Sequence, residues 1–173
     1  MDDKKLYHFS AVFAFCMAVA VLGNGIAFFT GPHLFFAITR SLVGIFALGF
    51  FPALYVKAQD AHPGWAIWAM SLAYVGITAE LIRYLGNLEY ETPWLFLGGL
   101  GVMLLTYNIL ALQHNLWPKV LAWFGIIIAI LLLGVIPSTL VDALAFLNTL
   151  VAVGAVLLYP IWLIWMGMRF RAA

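Results

Sequence analysis

The sequence predicts an all-α membrane protein, a polytopic bundle of six transmembrane helices with both termini on the cytoplasmic side. Three observations carry this expectation. First, 66% of the 173 residues are hydrophobic and only 9% are charged, with a mean hydropathy of +1.08, whereas charged residues make up about 25% of an ordinary soluble domain. Second, the apolar residues gather into six runs, each near the roughly 20 residues that cross a hydrocarbon core of about 30 Å. Third, Lys and Arg collect at alternate run ends, the pattern that sets orientation in a bilayer.

The first run spans 6–29 and closes at Thr30-Gly31-Pro32; the second spans 33–56 and closes at Lys57 to Gly64. Runs three and four span 65–85 and 94–112, with the polar stretch from Gly86 to Pro93 between them. The fifth, 120–136, follows Gln113 to Lys119, and the sixth, 140–168, follows Pro137-Ser138-Thr139. Pro63, Pro93 and Pro118 fall at or just before a first helical turn, where a missing N–H leaves no bond unmade. Pro52 and Pro160 fall inside runs, where local adjustment of the helix is expected. Trp65, Trp94, Trp117, Trp162 and Trp165 lie toward run ends, where an amphipathic ring suits the membrane interface. No repeat relates the two halves and no linker separates them, so residues 1–173 read as one domain.

With six spans and the amino terminus inside, Lys4, Lys5, Lys57, Lys119, Arg169 and Arg171 fall on the cytoplasmic side, six of the eight basic residues. The outer loops hold Glu89 and Glu91 instead. The distribution sets the orientation; the general look, six short-looped helices in under 200 residues, is that of small bacterial membrane proteins, so a bacterial cytoplasmic membrane is the expected location and the lipid bilayer the first partner. The run from Met1 to Lys5 leads into apolar sequence without a small-residue cleavage site and reads as the start of a retained helix. A net charge of +1 offers no basic surface for nucleic acid. The single cysteine, Cys16, leaves no intrachain disulfide, CxxC pair or thiolate cluster and reads as a small apolar filler.

The remaining two basic residues, Arg40 and Arg83, lie within runs together with Glu80, Asp142 and Asn24. At about 1.5 Å per residue, Arg40 lies about 10 Å deep and Glu80 and Asn24 about 9 Å. On the same count Asp142 lies about 5–6 Å deep, if its helix begins at Ser138, and Arg83 about 4–5 Å. Charges at such depth need a partner or a water-filled cavity, because each costs about 2.5 to 3.5 kcal/mol at a helix centre on insertion scales. Glu80 and Arg83 can pair at i, i+3, and Arg40 then calls for Glu80 or Asp142 from another helix. The favoured expectation is a polar clasp holding helices two, three and six, with Asn24 bonded to a loop carbonyl. The competing one is an outward vestibule that takes an anion or exchanges a proton at Glu80.

His8, His62 and His114 fall at inner run ends and His33 at the outer start of the second run. Imidazoles can ligate a metal or a haem, but no HxxxH or HxxEH pattern sets two on one helix face. No cofactor is predicted; a haem or pigment held by His33 or by the inner three is the alternative. Asn148, on this segmentation near the midplane, is expected to bond another helix, and Asn108 groups with Gln113 and His114. Ser10, Ala14 and Ala18, and Gly125 with Ala129, form small-residue seams that let helices approach closely. Gly98, Gly99 and Gly101 leave the start of helix four flexible or tightly packed.

The expected function is that of a small non-enzymatic integral membrane protein acting by association, as an accessory, scaffold or lipid-binding subunit. A homo-oligomer or partner membrane subunits are its expected assembly. The alternatives are a small oligomeric transporter or channel for an organic or anionic solute, and a haem- or pigment-binding subunit.

Overall fold

The computed structural model describes residues 3–30, 33–85 and 93–172, and among them the chain is helical with no strand. Helices α1 (Asp3–Thr30), α2 (His33–Gln59), α3 (Pro63–Leu85) and α4 (Pro93–His114) form the first four spans. Each runs past at least one end of its apolar stretch, because a helix continues until its backbone groups can meet water or a cap. Pro63 and Pro93 open α3 and α4, and Pro118 precedes α5 (Lys119–Leu133). Pro52 sits inside α2, which is continuous around it. Six helical spans are long and apolar enough to cross a membrane, and the chain is a multi-pass helical membrane protein.

The last two spans divide differently from the sequence expectation. The fifth continues through Gly134 into α6 (Val135–Leu140), giving a span of 22 residues, Lys119–Leu140. Pro137-Ser138-Thr139 therefore lies inside it and is not the turn. Pro137 costs only one bond, because it falls in the first turn of α6 just after Gly134, whose N–H still reaches the carbonyls of Ile130 and Leu131 at 3.2 and 3.1 Å. The hydroxyls of Ser138 and Thr139 donate back to the Val135 carbonyl at 2.9 and 3.0 Å, so both residues are satisfied within a helix.

The break falls at Val141, which is extended (φ −135°, ψ 108°). A short 3₁₀ turn, Asp142–Leu144, and then α7 (Leu147–Ala152) follow. The sixth span, Leu147–Arg171, widens into a π turn at Val153–Leu158 before α8 (Tyr159–Arg171). Pro160 has no N–H to continue a regular ladder, and the π turn just before it is the adjustment that a proline demands.

Consecutive helices pack antiparallel from α1 to α5, and α8 with its π turn returns against both α1 and α5, closing a ring. Phe50, Phe51, Leu54, Met103, Leu104, Tyr107, Leu121, Ile128 and Trp162 fill its interior. Ser10, Ala14 and Ala18 are buried, as the seam predicts, and Ser10 donates to the Gly49 carbonyl at 2.8 Å. The glycines of α4 serve tight packing. A Cβ on Gly99 would stand 2.6 Å from the Leu72 carbonyl oxygen, and one on Gly76 2.5 Å from that of Leu95, so α3 and α4 meet backbone to backbone.

Large apolar side chains such as Val19, Ile38, Ile45, Ile67 and Val75 face outward, as a bilayer requires. Trp65, Trp68, Trp94 and Trp123 face outward too. Trp117 and Trp162, by contrast, are buried, against the interfacial expectation. Trp117 turns inward because its indole N–H finds Asn108 Oδ1 at 3.2 Å. Trp162 packs against Phe50 and Tyr159 at ring separations of 6.1 Å in both cases.

Candidate functional site: a buried ion pair across four helices

At the end of the bundle opposite Lys57 and Arg169, Arg40 of α2 donates through Nε to Glu80 Oε1 of α3 at 2.9 Å. Both side chains are largely enclosed, 14% and 5% exposed, so neither charge can rely on solvent and each depends on the other. Arg40 also reaches Asn24 Oδ1 of α1 through Nη1 at 3.5 Å. The Asn24 amide in turn donates to the Phe36 carbonyl and to Thr39 Oγ1, both at 3.3 Å; the carbonyl belongs to the first turn of α2 and not to a loop as expected. Thr39 is oriented by its own helix, its hydroxyl lying 2.9 Å from the Phe35 carbonyl. The fourth wall is Phe96 of α4, whose ring centroid is 4.1 Å from the guanidinium carbon of Arg40, a cation–π contact. On the rim, Arg83 Nη1 lies 3.8 Å from Glu80 Oε2, one turn along α3.

Residues from four consecutive helices thus converge on one guanidinium. The gap bounded by Arg40, Gly44, Ile77, Glu80 and Phe96 is too narrow for a water molecule. Glu80 is held by cations on two helices, Arg40 of α2 and Arg83 of α3.

The sequence grouping of Asn24, Arg40, Glu80 and Arg83 is met in space, with α1 and α4 as tied helices in place of the sixth span. Asp142 does not join them. It is exposed in the 3₁₀ turn after α6, and among the described residues it forms no ion pair. The reason is the later start of the sixth span at Leu147, which leaves Asp142 in the connection and not on an inward helix face. Asn148 follows the same shift. It lies in the first turn of the sixth span, away from the midplane, and there its side-chain amide lies 2.7 Å from Ser138 Oγ, a contact across spans as expected.

Asn108 is buried, donates to the Leu104 carbonyl at 2.7 Å and accepts from Trp117, while Gln113 and His114 are exposed. His8 and His62 are exposed as well. His62 acts locally, since its Nδ1 accepts the Trp65 backbone N–H at 3.2 Å and so caps the start of α3. Among the described residues no three His, Cys, Asp or Glu side chains are grouped as a metal site would need. The side chain of His33, and Glu89 and Glu91 with the rest of 86–92, lie outside the described residues.

Two participants are absent from the sequence expectation. Thr39 was legible in principle, as a hydroxyl beside Arg40 in a helix. Phe96 was not, being one of 14 Phe with nothing to distinguish it. Fold and site together define a multi-pass helical membrane protein whose intramembrane charges are gathered where its first four helices meet. No protein-family model, characterised protein or solved structure matches the chain.

Proposed function

We propose that this protein is a non-enzymatic integral membrane protein that works by association, as an accessory, scaffold or lipid-binding subunit of a bacterial cytoplasmic membrane, with both termini inside. The observation that carries this reading is the closed Arg40–Glu80 tie. Its charges are engaged with one another and with Asn24 and Phe96, in a gap that admits no water. Charges spent in this way hold helices together and leave an outer surface dominated by apolar side chains, suited to lipid or to partner helices.

Native mass spectrometry of the protein drawn from its own membrane in mild detergent tests the reading. Masses that include another membrane protein, or retained lipid, are the expected result. Specific solute flux through liposomes holding the isolated protein, abolished by Glu80→Gln in a variant that still folds, would overturn it in favour of transport.

A further inference from the structure

We propose that the cavity at the basic end of the bundle binds a phosphate group, with Lys57 and Arg169 as its anion-holding side chains. The inference rests on the lipid-binding form of the association reading and deepens it, and it does not depend on whether a partner subunit is found.

The cavity has a volume of about 80 Å³, several times the roughly 10–15 Å³ that a cavity needs to hold one water. It opens where the amino end of α1, the carboxyl ends of α2 and α8 and the α4–α5 connection meet. Two cations line it. Lys57 is half-buried and Arg169 is exposed, and among the described residues no carboxylate lies within ion-pair distance of either. Asp3 and Asp60 are close enough to act electrostatically on Tyr7, yet neither engages these cations. In place of a carboxylate, Lys57 has the Tyr7 ring, with Nζ 5.7 Å from its centroid. A cation partly withdrawn from water, with an aromatic ring in place of an ion-pair partner, has capacity left for an anion.

The walls are set in advance. Tyr7 stacks on Phe170 with ring centroids 5.4 Å apart, and the Trp117 indole N–H is already bonded to Asn108. The cavity therefore presents its polar capacity through the two cations. A lysine point charge beside an arginine fork suits a group that offers several oxygens around one centre, which a phosphate does. Leu116, Met166 and Phe170 supply apolar lining beside that charge, the combination that a phospholipid presents where its head group meets its chains. Basic pockets between transmembrane helices take anionic head groups in this manner. The same chemistry accommodates inorganic phosphate, and the experiment separates the two sources.

Delipidated full-length protein in mild detergent is titrated with phosphatidylglycerol, with phosphatidylcholine and separately with inorganic phosphate, and adducts are followed by native mass spectrometry. Saturable one-to-one binding of phosphatidylglycerol over phosphatidylcholine is expected. Lys57→Gln with Arg169→Gln should weaken it by about thirtyfold, each cation contributing about five- to sixfold. Lys119→Gln, which removes a charge outside the cavity lining, should change it by less than about twofold. If inorganic phosphate binds with the same dependence on Lys57 and Arg169 and the lipid does not, the site stands and its ligand is the free anion. Leu116→Trp, which narrows the cavity and leaves both cations, provides a second route should the double variant unfold, and it too should lose the adduct. The proposal is overturned if neither form of phosphate binds, if phosphatidylcholine binds equally, or if the folded variants bind as the wild type does.

Discussion

Glu80 is the residue on which most depends, since Arg40 and Arg83 both lean on it. Glu80→Gln keeps the shape but leaves the enclosed Arg40 without its counter-charge. Removal of one partner from a buried pair costs about 3 to 5 kcal/mol, and the lower end applies because an unfolded chain in detergent also finds polar partners. Unfolding in detergent should therefore show a loss of about 3 kcal/mol for Glu80→Gln. In a double-mutant cycle Arg40→Ala and Glu80→Gln should couple by about 1 to 3 kcal/mol. Asp142→Asn, on an exposed turn, should stay within about 0.5 kcal/mol of wild type. The contrast separates residues that the sequence presents alike. Depth counting groups Asp142 with the charged set because it assumes a helix starting at Ser138, and one displaced helix boundary moves the side chain out. Glu80, Arg40 and Asn24 were legible because they sit well inside long apolar runs, where charge must be answered by charge.

Among the elements, α3 and α4 are the most constrained pair, touching backbone to backbone at Gly76 and Gly99. A methyl at either position meets a carbonyl oxygen that cannot rotate away, so Gly76→Ala and Gly99→Ala should each destabilise by about 1 to 3 kcal/mol, measurable by the same unfolding assay. Small residues at helix seams announce close approach in a sequence, but which helix approaches is a property of the ring. The opposite extreme is the stretch from Val141 to Leu150, in which most residues are exposed and a 3₁₀ turn separates two six-residue helices. Its amides should exchange with deuterium well before those of α4, as expected of segments with few buried apolar contacts. The sequence marked this region with Pro137-Ser138-Thr139, yet a proline in a first turn and hydroxyls bonded to their own helix are compatible with continuing it. The π turn before Pro160 was legible only as an unspecified adjustment.

At the scale of the whole molecule, composition and run length were enough to count the spans, because the bilayer sets both. They could not say which side chains face inward, and Trp117 and Trp162 show why: an indole fits an interface or a core, and the choice rests on partners, a hydrogen bond to Asn108 for Trp117 and ring packing on Phe50 for Trp162. The short connection between α2 and α3 bears on how the chain is made. Only residues 60–62 separate these helices, and among the six spans α3 is the least apolar while carrying Glu80 and Arg83. During synthesis α3 should therefore enter the bilayer behind α2 as a hairpin, with Arg40 already placed to receive Glu80. Replacing Arg40 by Ala makes α2 more apolar and should nonetheless lower the fraction of nascent chains that integrate α3, read from a glycosylation acceptor placed after it. A helix's admission to the membrane would then be decided by a side chain on its neighbour.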